Sequence, residues 1–151
     1  MAGEARAEAG FEYLDDVAIA DVAFRAWGRT PEQVFRAACA AAMTVMVEDL
    51  DSIRTRERRS LVRTAARAEM LLFELLQELV YYKDAEGLLL LPEEIRVDIG
   101  ESESRLQASL VGEKLERDRH PLKLDVKAVT LHRFALSHSP AGWQAQVVLD
   151  V

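Results

Sequence analysis

One cysteine, Cys39, stands alone among 151 residues, which leaves no internal disulfide and no second thiol at metal-ligand spacing. It lies in an alanine-rich helical run and reads as a small buried apolar residue. No stretch approaches the roughly 18 consecutive apolar residues that a membrane helix needs. The seven glycines are scattered, so there is no glycine-rich phosphate loop. No Gly-x-Ser-x-Gly elbow occurs, which removes that route to a serine nucleophile. His120, His132 and His138 never fall one helical turn apart on a helix, so a zinc pair of that kind is excluded. Basic residues are outnumbered: 19 Lys and Arg against 26 Asp and Glu give a formal charge of −7. A large nucleic-acid footprint needs clustered Lys and Arg, and direct nucleic-acid binding is not expected. Residues 1–10 are rich in Ala and Glu and lack the apolar core of a signal peptide; they are expected to be a disordered lead-in. The cytoplasm is the expected compartment, with no membrane partner.

What is present suits a single domain with a real core: half the residues are hydrophobic and 30% are charged. Val22 to Trp27 alternates as a short strand closed by Gly28. Thr30-Pro31-Glu32-Gln33 then reads as a helix start. The Thr30 hydroxyl can accept an amide, Pro31 suits the first turn, and Gln33 can reach back to the Thr30 N–H. The helix it opens, over about 31–47, is apolar on almost every side and predicts deep burial. Asp49, Asp51 and Ser52 end it, and 61–68 is a weaker strand candidate. A second helix over 68–82 carries the stripe Leu72, Leu75, Leu76, Leu79 and Val80, with Glu74, Gln77 and Glu78 facing away. Asp84-Ala85-Glu86-Gly87 reads as a turn. Strands are predicted at 88–91, 95–99, 105–111, 124–132, 133–137 and 143–150, the last two joined by a Ser139-Pro140-Ala141-Gly142 hairpin loop. The expected fold is α+β: one two-layer or three-layer domain, two main helices packed on a largely antiparallel sheet.

The remaining chemistry is that of oxygen ligands. The chain finishes in a strand pattern on Asp150 and Val151, which brings a side-chain carboxylate and an α-carboxylate close together. Such a pair is costly to hold unless a cation or a ring of donors compensates it. Asp15, Asp16 and Asp21 lie at the start of the first long strand. If the first and last strands are neighbours, Asp21 or Asp16 meets Asp150 and Val151, and hard cations favour such a set. The alternative is a solvated acidic patch. His132 in its strand is a ligand, a base or a hydrogen-bonded structural residue, and Trp27 and Trp143 read as core or edge aromatics rather than stacking platforms.

Several segments in order carry a family resemblance. Tyr13-Leu14-Asp15, Ala20-Asp21, Ala26-Trp27-Gly28 and the capped helix resemble the opening of archease. The Leu71–Leu79 helix with Asp84-Ala85-Glu86-Gly87 is similar to the family's second helix and turn. Gly112-Glu113-Lys114-Leu115, His120 and Val126-Lys127-Ala128-Val129-Thr130-Leu131-His132 resemble its central strand region. Trp143 to Val151 resembles its ending, down to the penultimate aspartate, so the likeness defines an archease-like domain over 11–151.

The resemblance implies a non-catalytic partner of RtcB-type RNA ligases in tRNA splicing and RNA repair, one that promotes guanylylation of the ligase's histidine and sustains multiple turnover. It also implies a divalent cation, assigned as calcium in the family, with Mg²⁺ and Mn²⁺ as the other hard ions. Carried over residue by residue, the ligands are Asp21, Asp150 and Val151. Where the family writes Asp-His-Thr-Ala-Asp, this chain has Asp16-Val17-Ala18-Ile19-Ala20-Asp21. The motif histidine and threonine are missing and one residue is inserted, so the segment is expected to be reshaped and Asp16 can enter the ligand shell. Lys127 and His132 match family positions and are the candidates for partner contact. Two other classes remain open at this level: a small metal-dependent hydrolase using the same carboxylates, for which no clear general base is present, and a chaperone-like binding module.

Overall fold

The computed structural model describes residues 8–15 and 21–151. Among these residues seven strands and two α-helices are present, the strands in two antiparallel sheets with the helices against both. The strands are β1 (Gly10–Leu14), β2 (Asp21–Gly28), β3 (Glu57–Ala65), β4 (Leu88–Ile99), β5 (Ser104–Lys114), β6 (Ala128–Ser139) and β7 (Gly142–Asp150); the helices are α1 (Pro31–Met46) and α2 (Ala68–Glu86). One sheet runs β1-β2-β7-β6 and the other β3-β5-β4. The α+β expectation holds.

Helix α1 starts as its sequence dictates: the Thr30 hydroxyl accepts from Gln33 N–H at 3.1 Å, with Pro31 in the first turn. Gln33 reaches back one residue further than the expected box, to the Arg29 N–H at 2.7 Å. Ten of its sixteen residues are buried, as an all-round apolar helix requires. Its last carbonyls would be left without partners, but the extended segment after His120 crosses beneath them. Lys123 N–H donates to Met46 O at 3.0 Å and Leu124 N–H to Val45 O at 3.2 Å. Helix α2 buries Leu71, Leu72, Leu75, Leu76, Leu79 and Val80, which contains the expected stripe. It runs four residues beyond the expected 82, taking in Asp84 to Glu86, and stops where Gly87 adopts φ 64°. Leu115 N–H donates to Gly87 O at 2.8 Å, tying this end to the chain after β5.

Polar side chains of both helices satisfy strand edges. From α1, Glu32 Oε2 accepts from Val97 N–H at 2.9 Å, and Arg36 donates to Pro92 O at 2.7 Å and Glu93 O at 3.1 Å. From α2, Gln77 Oε1 accepts from Val129 N–H at 3.0 Å and Glu69 Oε2 from Leu136 N–H at 3.4 Å. Gln77 and Glu78, expected to face away, are thus engaged: Glu78 pairs with Arg63 of β3 at 3.4 Å. Strand edges left bare invite foreign pairing, and helix side chains close β4 and β6.

Several expected boundaries shift for identifiable reasons. Pro92, read as the end of one strand, is absorbed as a register irregularity between Pro92 and Glu94, so 88–91 and 95–99 are one strand. The predicted strands 124–132 and 133–137 are likewise one strand interrupted by an excursion, and 124–127 lies outside it. The hairpin between β6 and β7 closes as expected, with Ser139 opposite Gly142. Strand β1 begins at Gly10, inside the expected lead-in, where the Trp27 ring lies across its Cα; a Cβ there would sit 2.8 Å from the indole.

Gly112 has the tightest surroundings of the described glycines: a Cβ would fall 1.7 Å from Leu89 O, so β5 and β4 would have to separate. Gly112→Ala is expected to destabilise by about 3 kcal/mol or more, in the range of severe core lesions. Thermal melting should read this as a fall of roughly 6–12 °C for a domain of this size.

Candidate functional site

The first and last long strands are neighbours. β2 pairs antiparallel with β7, and the register sets Asp21 directly opposite Asp150. On the other side of β7, Ala128 of β6 faces Asp150, and Lys127 N–H donates to Asp150 O at 2.8 Å. Asp150 therefore lies on a central strand gripped from both sides. Alternation fixes where the side chains go. Val22, Phe24 and Ala26 of β2, with Val147 and Leu149 of β7, pack into the helix-facing core, so Asp21 and Asp150 share the opposite face.

Residues directly opposite in an antiparallel pair have Cβ atoms about 4.5–5.5 Å apart, and like charges there repel. Neither aspartate side chain has a hydrogen bond or ion pair among the described residues. Beyond this rung, Ala23 and Val148 face each other on the same side, each 1% exposed. Thr130 pairs with Val148, and its Oγ1 is a buried hydroxyl with no hydrogen-bond partner. The face thus offers two opposed carboxylates, oxygen donors of the kind that hard cations take, with the Thr130 hydroxyl two residues further along the sheet. Val151 follows Asp150 with its side chain against the core. Among the described residues no three His, Cys, Asp or Glu side chains gather to hold a metal ion. Asp16 lies outside the described residues.

Of the other candidates, Lys127 is exposed one residue before β6, and His132 is exposed in the excursion of that strand. His138 stacks on Trp143, centroids 4.4 Å apart at 10°, which makes Trp143 a hairpin-end aromatic. Cys39 is fully buried in α1, and burial pushes its thiol up to about 12, so no thiolate is available.

A second ionisable cluster lies elsewhere and escaped the sequence reading, although Glu113 and His120 were both among the family-like residues. Glu113 is 3% exposed. It accepts from Arg119 Nη2 at 2.5 Å, from Arg54 N–H at 2.8 Å and from His120 Nε2 at 2.9 Å. His120, fully buried, accepts the Glu116 N–H on Nδ1 at 2.8 Å, which puts its own proton on Nε2, facing Glu113. Arg119 also donates to Ser52 O at 3.2 Å. Every group here has its partner, so the cluster ties two loop segments, around Arg54 and around Arg119, to the end of β5 and leaves nothing over for a ligand. The signal that could have found it is a glutamate, an arginine and a histidine within eight residues around a chain reversal.

A sequence model of the Archease protein family matches residues 11–151. The protein archease of Methanosarcina mazei is 35% identical over 144 residues, covering 93% of this chain and 95% of the relative. Its counterpart from Pyrococcus abyssi is 33% identical over 133 residues, covering 87% and 93%. Among solved structures, the solution structure of protein 1598 from Methanobacterium thermoautotrophicum is similar with a TM-score of 0.79 at 30% identity, covering 94% of this chain and 99% of that one. The crystal structure of a Thermotoga maritima archease, described there as a possible chaperone, shares the fold with a TM-score of 0.58 at 16% identity, covering 91% and 96%. No α-helix among the described residues is long and apolar enough to cross a membrane.

The Glu113 cluster carries a pH signature. The Arg119 guanidinium, aided by the Arg54 N–H and His120, holds the Glu113 carboxyl at about 2, below its ordinary 4.5. A carboxyl depressed in the folded state binds fewer protons there than in the unfolded chain. Its stabilisation is complete above pH 4.5 and is lost as pH falls towards 2. Glu113→Gln is expected to flatten the decline of unfolding free energy between those values and to lower it at neutral pH. Urea titrations from pH 2 to 7 would check both.

Proposed function

The chain belongs to the archease family, and from that membership we propose that it is a non-catalytic activator of an RtcB-type RNA ligase. In this reading it promotes guanylylation of the ligase's active-site histidine and sustains multiple turnover in tRNA splicing and RNA repair, in the cytoplasm. The observation that supports it most is the Asp21–Asp150 rung, two carboxylates held opposite each other by the pairing of β2 and β7 and without a partner among the described residues.

The Asp21 and Asp150 carboxylates, with the α-carboxylate of Val151, would hold a divalent cation, calcium first and Mg²⁺ or Mn²⁺ as the other hard ions. Asp16 joins them if the altered segment before Asp21 folds over the rung. When bound, such an ion supplies positive charge beside nucleotide phosphates. The chain's own contribution is positional: β7 is fixed by β2 on one side and β6 on the other, so the carboxylates move as part of a sheet. The formal charge of −7 favours acting through the ligase over holding RNA directly.

A chaperone-like binding module is the second reading, favoured by the description of the Thermotoga maritima protein. Suppression of aggregation of unrelated clients, without the ligase, would put it first. Phosphatase or nuclease activity of the purified chain would instead support a small metal-dependent hydrolase.

Asp150→Ala, and separately a residue appended after Val151, are expected to reduce stimulation of multiple-turnover ligation at least about tenfold, the scale of a lost metal ligand or its support. Full stimulation by both variants would sink the proposal. Calcium at about 100 times its Kd is expected to stabilise the unmodified chain by about 2.7 kcal/mol. Calorimetry should show that gain vanish with a chelator and in Asp21→Asn.

A further inference from the structure

Strand β6 leaves its ladder on the face that carries the carboxylates. Thr130 pairs with Val148 and Ala135 with Gln146, so four residues of β6 oppose the single Val147 of β7. Leu131, His132 and Arg133 form the excess; Phe134 returns to the core, edge-to-face on Phe73 at 5.5 Å and 85°. The chain turns back at Arg133, the one described non-glycine residue in the left-handed region, at φ 58°. A side chain there costs about 1 kcal/mol or more. Gln146 Nε2 donates to Arg133 O at 3.3 Å. Gln146 alternates to the same face as Asp150, so the excursion folds over that face, about 13 Å along β7 from the acidic rung at the usual strand rise.

The excursion presents an exposed apolar side chain with basic neighbours. Leu131 is the most exposed large apolar side chain among the described residues, at 62%. His132 and Arg133 stand exposed beside it, basic groups on a chain of formal charge −7. The Arg133 guanidinium makes no ion pair among the described residues. A partner that receives the carboxylates therefore meets, on the same face of the same sheet, an apolar knob flanked by an imidazole and a guanidinium.

We propose that the Leu131–Arg133 excursion is the element by which this chain docks on its partner protein, Leu131 entering an apolar pocket whose rim carries Asp or Glu to pair with Arg133. The inference rests on the activator reading and adds a division of labour to it. The excursion supplies affinity, as a buried apolar anchor with a charged flank does, and the Asp21–Asp150 rung supplies the effect on the reaction.

The test is a titration of a purified RtcB-type ligase with the unmodified chain and with Leu131→Asp, Arg133→Glu and Asp150→Ala, reading equilibrium binding and the multiple-turnover rate together. Circular dichroism and melting would establish that each variant is folded. Leu131→Asp and Arg133→Glu are expected to weaken binding about tenfold or more and to shift the half-maximal concentration for stimulation by the same factor, with an unchanged plateau. Asp150→Ala is expected to lower the plateau itself. Unmodified affinity in both excursion variants would overturn the docking proposal and leave the activator reading standing. A full plateau with Asp150→Ala, alongside weakened binding by the excursion variants, would overturn the role of the rung and leave docking standing. No binding of the unmodified chain would overturn both.

Discussion

Two separate sheets have edges, and the backbone groups along those edges must find partners; the rest of this fold is arranged around that requirement. Helix side chains supply what a further strand would have supplied. Glu32 and Arg36, one turn apart on α1, satisfy β4, while Glu69 and Gln77, on one side of α2, satisfy β6. These bonds do more than seal. They set the distance between each helix and a strand of a sheet that its apolar face also packs against, so the core and the edges agree on one arrangement. The position of Asp150 follows. Helix α2 fixes β6, β6 and β2 together fix β7, and the acidic rung takes its place from bonds made far from it.

Carboxylates are used here in two opposed ways. Glu113 is buried deeply and compensated completely, by a guanidinium, a backbone amide and a histidine whose tautomer is set by its own second bond. Its charge is spent on joining loops. Asp21 and Asp150 are placed opposite each other at a sheet end and left without compensation among the described residues. A fold able to build the first arrangement does not need to tolerate the second, which is why a function is proposed for the second and the first is architecture.

Much of this was legible in the residues, and the gaps have physical causes. The capped start of α1, the stripe of α2, the closing hairpin and the strand that bears Asp150 are encoded locally, in caps and periodicities. The pairing of β2 with β7 is non-local; only the symmetry of acidic residues at the start of one strand and the end of the other hinted at it. Pro92 and the run from Leu131 to Arg133 broke the alternation that marks a strand, so two long strands looked like four short ones. Strand β1 was missed in part because its first residue, Gly10, owes its place to the Trp27 ring of the neighbouring strand rather than to any propensity of its own. The Glu113 cluster depends on two loops meeting at the end of β5, and no window of sequence contains them all.

The strand order β1-β2-β7-β6 also governs when the molecule becomes itself. Strand β7 inserts between two strands already laid down, one near the beginning of the chain and one just before it. Without it, β2 and β6 would each lack a ladder partner on the inner side. Closing so long a loop is slow and brings no reward until the final strand zips in. An unfilled β7 position would accept another extended segment in its place. The acidic rung exists only where β2 and β7 are paired, so a chain that displays it has closed the centre of this sheet.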